Sequence, residues 1–343
     1  MEKLRVGLIG SGSMGASLAK HCAGLERAEV VAVADVVAEA AQKVGQELGA
    51  QAYGDDGEKI LAREDIAGVI VATPGYLHVD GCVRAAQAGK HIFCEKPLAT
   101  NVSDCDAIIA AAEAAGIKLQ VGQVLRYLPL QAKAIELVRS GRYGEPIAVS
   151  ITRIGGGYGG AWGVRWRDSH EQSGGILMEV NAHELDLMGQ LCGDAIKVCA
   201  SAHRYVHERM QTPDQVFMLV DFASGAMGQL HSSAASAIGD GNTKVQCREG
   251  AVFFAGGTLR HGRFGQEPEV IESGEIQVEN AVTREVREWV EAVLDDIAVT
   301  IPGSDGRKAV ELAEAAYESA RSGKPVKLPL KKATGVMSGP WPD

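Results

Sequence analysis

The chain has 343 residues, 46% of them hydrophobic and 5% aromatic, a composition typical of an α/β protein rich in alanine, valine and glycine. Because one core rarely serves so long a chain, we expect two domains of roughly 150 residues each. The net charge of −10 would repel a phosphate backbone, so no nucleic acid partner is expected. No run of 18 apolar residues and no signal-peptide pattern occurs, so we expect no membrane partner and a cytoplasmic protein.

The cysteines form no Cys-x-x-Cys pair, and their number, seven, is odd. Neither a disulfide framework nor a zinc knuckle is therefore expected. Most of these thiols should be reduced and buried in the core.

Up to about residue 122, short β-branched runs alternate with segments of helical periodicity. The strand-like runs are LRVGLI, EVVAVA, GVIVAT, HIF and KLQVG. This alternation indicates βαβ units and predicts a doubly wound parallel sheet in a first domain, residues 1–122. Asn101 or Ser103 would cap the last helix of this domain, and Gly116 would end it.

The pattern changes after a predicted bridging helix at about 129–140. Longer strand-like runs follow: PIAVSITRI, IKVCASAHRY, QVFMLVDF, AMGQLHSSAA and TKVQCREG. They predict a second α/β domain, residues 123–343, with a largely antiparallel open sheet and helices at 283–298 and 307–322. The glycine-rich stretch 155–175 is too long for a turn and is interpreted as a functional loop. The final VMSGPWPD has no readable role.

A GxGxxG motif follows the first strand and opens the first helix, which is the arrangement of a Rossmann dinucleotide site. Gly10 permits the tight turn, Gly12 lets the backbone approach the pyrophosphate, and Gly15 allows the helix to pack on the strand. The phosphates would lie at the positive end of that helix. The intervening residues of the predicted loop are Ser11, Ser13 and Met14.

An acidic residue stands where the ribose of a dinucleotide would be recognised. Asp35 follows the run EVVAVA, 20 residues after Gly15, and its carboxylate can accept hydrogen bonds from both ribose hydroxyls. The next residues, Val36 and Val37, supply no cation for a 2′-phosphate. The sequence therefore predicts NAD, in preference to NADP, as the cofactor.

Two further strand-like runs end in polar segments that should border the same crevice. GVIVA is followed by TPGYLH, which places Thr73, Pro74 and His78 near the cofactor, although Pro74 is equally well explained as helix punctuation. HIFC is followed by Glu95 and Lys96, and then by a proline that restrains the backbone.

Lys96 would then lie beside the nicotinamide. Hydride removal from an alcohol builds negative charge on oxygen, and a fixed ammonium stabilises that charge. An ordinary solvated loop lysine is the alternative.

The second half offers an acid/base candidate. GGILMEVNAHELDLM predicts a helix with Glu179, His183 and Asp186 at i, i+4 and i+7 on one face. His183 can accept a proton near neutral pH, and either Glu179 or Asp186 could orient its ring. A polar stripe on a helix can also be only its solvated side. No metal site is predicted, because no second histidine or cysteine lies near these carboxylates.

Taken together, these residues resemble the Gfo/Idh/MocA oxidoreductases. The matching stretches are GLIGSGSMG, Asp35, VATPGYLHVDGCVRAAQAGKHIFCEKPLA, VGQVLRY, WRDSHEQSGGILMEVNAHELDLM and SGKPVKLP. The resemblance implies that Lys96 contacts the reacting hydroxyl, that His183 is the acid/base, and that the C-terminal sheet forms a homodimer or homotetramer. Many members carry aspartate in place of Glu179 and glycine in place of Asn181.

The leading hypothesis is NAD-dependent oxidation of a ring hydroxyl in a cyclitol or sugar, catalysed by Lys96, His183 and Glu179. Residues predicted to line the substrate side, in addition to those three, are Arg126, Trp162 and Arg167; loop or interface packing is the alternative for the last two. A redox-neutral glycoside-cleaving enzyme or lyase would need the same lysine and histidine. A sugar or NAD sensor would need neither.

Overall fold

The computed structural model describes residues 3–155 and 165–341. The chain divides into two compact units, the first of residues 1–124 and 279–307, the second of residues 125–278 and 308–343. The sequence predicted a single boundary near residue 122, and so did not place residues 279–307 in the first unit. Among the described residues, no helix is both long and apolar enough to span a membrane.

Strands and helices are numbered in chain order. The strands are β1 (Leu4–Ile9), β2 (Ala28–Ala34), β3 (Gln51–Tyr53), β4 (Gly68–Val71), β5 (His91–Cys94), β6 (Leu119–Val121), β7 (Pro146–Ile154), β8 (Ala195–His203), β9 (Gln215–Phe222), β10 (Met227–Ser233), β11 (Asp240–Cys247), β12 (Gly250–Ala255), β13 (Thr258–Arg263), β14 (Glu269–Glu272) and β15 (Val326–Lys327). The α-helices are α1 (Ser13–Ala23), α2 (Ala38–Leu48), α3 (Glu58–Leu61), α4 (His78–Gln87), α5 (Val102–Ala115), α6 (Pro129–Arg139), α7 (His170–Ser173), α8 (Gly175–Glu179), α9 (Ala182–Cys192), α10 (Ala281–Leu294) and α11 (Gly303–Ser322).

The first unit contains a parallel sheet of order β3-β2-β1-β4-β5-β6. This is the strand order of a Rossmann fold, so the predicted doubly wound sheet is confirmed. Strand order reverses between β1 and β4, and ligands of such sheets bind at the carboxyl ends of the strands near that point. The short β3 at the sheet edge was not predicted.

Helix α10 packs on this sheet although it lies far along the chain. Its Val286, Trp289 and Val290 are buried in one core cluster with Leu8. The Trp289 ring meets Phe93 of β5 edge-on, with centroids 5.9 Å apart. The amphipathic pattern of α10 is visible in the sequence, but its partner sheet is not, which explains the missed boundary.

The predicted limits of α5 are confirmed. The Asn101 side chain caps the helix by accepting a hydrogen bond of 2.9 Å from the backbone N–H of Asp104. Gly116 ends it with a φ of 64°, a left-handed conformation that glycine adopts without a steric cost.

The second unit contains a nine-stranded sheet of order β14-β13-β12-β11-β7-β10-β9-β8-β15. Among the described strands of this sheet, only the β7 and β10 pair is parallel, so the predicted largely antiparallel sheet is confirmed. Strands β12 to β14 extend it beyond the predicted strands. Alternating burial along β9 places one row of side chains in the core and leaves the opposite row exposed.

All seven cysteines are free, and all but Cys199 are buried. Burial raises the pKa of the Cys22 thiol to about 12, because a thiolate would lose its solvation there. The pKa of Cys94 is raised for the same main reason. These two thiols are therefore chemically inert at neutral pH.

Candidate active site

The GxGxxG loop joins β1 to α1. Its backbone leaves no room for a side chain at two of its glycines. Gly10 has a φ of 92°, and a Cβ there would lie 2.7 Å from the backbone of Thr73. A Cβ on Gly15 would lie 2.0 Å from the carbonyl oxygen of Gly10. A Cβ on Gly12 would meet nothing within 4 Å, so this side of the loop is open to a ligand. The loop therefore fits the pyrophosphate of a dinucleotide at the helix N-terminus.

Three residues predicted in the same loop differ in exposure. Ser11 is buried, whereas Ser13 and Met14 at the start of α1 are exposed. Ser11 donates to Asp35 through its backbone N–H and its hydroxyl, at 2.7 and 3.0 Å. The backbone N–H of Val37 donates to the other carboxylate oxygen at 2.9 Å.

Asp35 thus fixes the first loop to the end of β2. A carboxylate has about four acceptor positions, so three protein donors leave capacity for a ribose hydroxyl. Val36 and Val37 are exposed beside it and carry no charge. Recognition of the ribose by Asp35 stays a prediction.

His78 joins the loops that follow β4 and β5. Its ring is only 1% exposed, with Nδ1 2.8 Å from the carbonyl oxygen of Pro97 and Nε2 2.8 Å from that of Thr73. Burial lowers the pKa of His78, an effect larger than the opposing one of the two carbonyl oxygens. The structure gives His78 this bridging contact; its predicted contact with the cofactor stays a prediction. Pro74 precedes a short 3₁₀ turn, Gly75–Leu77.

Lys96 follows β5 and is half-buried. Its backbone N–H donates to the buried carboxylate of Glu95 at 2.9 Å, and the Lys96–Pro97 peptide bond is cis. A Cβ on Gly75 would lie 3.1 Å from the Pro97 ring, so the β4 loop packs closely against this proline. The backbone that carries Lys96 is therefore held on both sides.

In the second unit, Arg126 and Asp186 form a buried ion pair. The Arg126 Nε donates to Asp186 at 2.7 Å, and a second guanidinium nitrogen donates to the other carboxylate oxygen. Their side chains are 10% and 4% exposed. Arg126 was predicted to bind substrate and Asp186 to be a possible partner of His183. The described geometry shows these two residues bound to each other.

Arg167 and Glu179 form another ion pair of the second unit. The Arg167 Nε donates to a Glu179 carboxylate oxygen at 3.0 Å, and the guanidinium lies over the Trp166 ring, 4.5 Å from its centroid. Glu179 is 4% exposed. The predicted substrate residue Arg167 and the predicted catalytic residue Glu179 are thus in contact. Trp162 lies outside the described residues.

The single helix predicted to carry Glu179 and His183 is wrong. Helix α8 ends at Glu179 and α9 begins at Ala182, with His183 half-buried in its first turn. At the break, the N–H of Asn181 donates to the carbonyl of Ile176 at 2.9 Å, a wider turn than that of an α-helix. The simple i, i+4 spacing does not hold across such a turn.

The side chain of Asn181, for which no role was predicted, makes two hydrogen bonds at the break. Asn181 is fully buried, and its carbonyl oxygen accepts a hydrogen bond of 2.6 Å from the hydroxyl of Ser232 on β10. Its amide nitrogen donates to Glu184 at 3.3 Å. Ser232 is 51 residues away, so the residues around Asn181 do not predict this contact. An asparagine within an apolar helical run does, however, favour a helix terminus.

Both units match models of known protein families. Residues 4–123 match the model of the oxidoreductase family with an NAD-binding Rossmann fold, and residues 135–328 match the C-terminal α/β domain of the same family. The scyllo-inositol 2-dehydrogenase (NAD(+)) of Bacillus subtilis is 29% identical over 348 residues, which cover 98% of this chain and 99% of that protein.

Two other relatives differ in their activities. The 2,7-anhydro-N-acetylneuraminate hydratase of Mediterraneibacter gnavus is 28% identical over 273 residues, covering 76% of this chain and 70% of that protein. The solved aldose-aldose oxidoreductase of Caulobacter crescentus, complexed with glycerol, is 28% identical, with a TM-score of 0.86 over 95% of this chain and all of that chain.

The predicted NAD cofactor and the predicted NAD-dependent oxidoreductase are thereby confirmed. When bound, NAD would supply a hydride acceptor, and the glycine loop of the first unit is predicted to hold its phosphates. Because the two family models together match most of the chain, the protein belongs to the Gfo/Idh/MocA oxidoreductase family.

Proposed function

We propose that the protein oxidises a secondary ring hydroxyl of a cyclitol or sugar to a ketone, with NAD as the oxidant. The observation that carries this proposal is the similarity to an NAD-dependent inositol dehydrogenase along nearly the whole of both chains. Further relatives of similar coverage are also named inositol 2-dehydrogenases.

His183 is the proposed general base. With NAD bound to accept the hydride, His183 would take the hydroxyl proton and Lys96 would donate a hydrogen bond to the oxygen that becomes the carbonyl. A histidine imidazole is the side chain that most often serves as a general base. Glu179, already bound to Arg167, is a proposed contact for substrate hydroxyls.

The test is a panel of inositols, aldoses and glycosides assayed by NADH absorbance, with NADP in parallel. On the best substrate, Lys96→Met should lower kcat/KM by about 10²–10³, the effect of losing one donor to a developing oxyanion. His183→Asn should lower it by about 10²–10⁴. Normal turnover by either variant, with NAD affinity kept, would contradict the assigned roles.

A redox-neutral reaction is the second candidate, because one relative over 76% of this chain is a hydratase. In that reaction NAD oxidises the ring only transiently and is regenerated. The stoichiometry separates the two candidates: one NADH for each product molecule supports the dehydrogenase, whereas product without NADH supports the redox-neutral route.

We also propose that the protein forms a homodimer or homotetramer through the open face of the C-terminal sheet. Exposed apolar side chains lie together there: Phe217 (49% exposed), Leu219 (62%) and Met227 (63%), on the adjacent strands β9 and β10. Contiguous apolar surface of this kind marks interfaces. Light scattering should report an oligomer that Leu219→Asp dissociates; a monomeric wild type would contradict the proposal.

A further inference from the structure

The last described residues of the chain, Thr334 to Trp341, are packed into the second unit; they are called the tail here. Val336, Met337 and Trp341 are 2%, 6% and 8% exposed. The backbone N–H of Thr334 donates to the buried Glu314 at 2.6 Å. The tail is therefore fixed to the second unit by buried side chains and by a hydrogen bond.

The tail contacts the start of α7 through a cluster of aromatic rings. His170 is 1% exposed, and its Nε2 donates to the carbonyl of Val336 at 3.2 Å. The His170 ring meets Tyr317 and Trp341 edge-on, with centroids 5.2 and 5.6 Å away. The tail therefore supplies both a hydrogen-bond acceptor and a packing surface to His170.

Backbone contacts extend from the tail to the residue next to Arg167. The N–H of Trp341 donates to the carbonyl of Gln211 at 2.8 Å, and the N–H of Gln211 donates to the carbonyl of Asp168 at 2.6 Å. The hydroxyl of Tyr317, the ring packed on Trp341, accepts a hydrogen bond of 3.1 Å from the N–H of Leu177 in α8. The tail is thus linked to Asp168 through Gln211 and to Leu177 through Tyr317.

The segment 165–179 would not be stable in this conformation by itself. Helices α7 and α8 have four and five residues, far fewer than the dozen or so that an isolated helix needs to be even marginally stable. Gly174 between them and Gly175, the first residue of α8, have φ values of 70° and 65°. Its conformation must therefore come from packing against neighbouring parts of the second unit.

We propose that the tail is a positioning element for the substrate side, with Trp341 as its central positioning residue. It holds the segment 165–179 so that Arg167 and Glu179 stay paired and aligned. This inference rests on the proposed function for the role of those two residues toward substrate. It assigns the tail no contact with substrate or cofactor.

The test compares Trp341→Ala with two other variants. Trp341→Phe keeps a ring at the position, and Phe254→Ala removes a buried aromatic from β12 of the same unit as a control for general destabilisation. Trp341→Ala should raise the KM for the polyol about tenfold while the Kd for NAD changes less than twofold, and Trp341→Phe should restore most of the loss. An equal rise of KM in Phe254→Ala would overturn the proposal.

A second readout does not depend on knowing the substrate. Hydrogen exchange of the backbone amides between residues 169 and 179 should be at least tenfold faster in Trp341→Ala than in the wild type, and unchanged in Phe254→Ala. Such a result supports the tail's positioning role even if the wild type turns over no polyol and the proposed function fails. Unchanged exchange in Trp341→Ala would overturn the inference, whatever the substrate.

Discussion

The two units hold their candidate site residues by different means. In the first unit, Gly10, Asp35, Thr73 and Lys96 each stand just beyond the carboxyl end of a parallel strand, and backbone geometry positions them. In the second unit, ion pairs and buried contacts between distant parts of the chain do this work: Arg126 and Asp186 are 60 residues apart, and His170 and Val336 are 166 apart. The first arrangement is local and can therefore be predicted from a sequence, whereas the second cannot.

The largest expected effect concerns the glycine loop. Gly15→Ala should abolish NAD binding and lower the Tm, because its Cβ would overlap the carbonyl oxygen of Gly10 at 2.0 Å. Gly12→Ala should keep the Tm, since its Cβ meets nothing within 4 Å, yet lose NAD affinity because the pyrophosphate must approach there. Calorimetry gives both quantities. Wild-type NAD affinity in Gly12→Ala would contradict a close approach of the pyrophosphate to the backbone at Gly12.

The buried ion pair of the second unit should show the next largest effect. Arg126→Ala should lower the free energy of unfolding by about 3–5 kcal/mol in urea titrations, because it leaves Asp186 buried without its main partner. Replacing both residues with leucine should recover much of that loss. Arg139→Ala, an exposed arginine near the end of α6, is the control and should cost less than about 1 kcal/mol. Equal losses in the two single variants would contradict a structural role for the pair.

A smaller effect is expected where Asp35 fixes the first loop. Asp35→Ala removes the acceptor of three hydrogen bonds and the predicted ribose contact, so NAD affinity should fall about 10- to 100-fold, as for hydrogen bonds to a charged group. Affinity for NADP should fall less, because a repelling carboxylate is removed at the same time. Titration with both cofactors measures the ratio. An equal loss for NAD and NADP would argue against ribose recognition.

The smallest effect is on the pH dependence of stability. Burial lowers the pKa of His170 to about 4, whereas in the unfolded chain it lies near 6.5. The unfolded chain therefore binds more protons between these values, and stability falls as the pH drops through that window. Between pH 7 and 5 the wild type should lose about 1–2 kcal/mol more than His170→Phe, by denaturant titration at each pH. Identical losses would show that His170 is not buried as described.

The same contrast explains what the sequence could predict. The parallel sheet, the glycine loop and the caps of α5 follow from residue types at fixed spacings, and the structure agrees with them. The return of α10 to the first sheet depends on where Trp289 finds its partner, which no local pattern records. The break before His183 depends on Ser232, and the burial of the tail depends on His170, so neither was predicted.

The most direct test of the proposed oxidation follows the hydride itself. With a cyclitol or sugar deuterated at the carbon that bears the reacting hydroxyl, the wild type should yield ketone and deuterated NADH in equal amounts. Lys96→Met should slow this transfer without changing where the label goes. Product formed with no deuterium in released NADH would contradict the account.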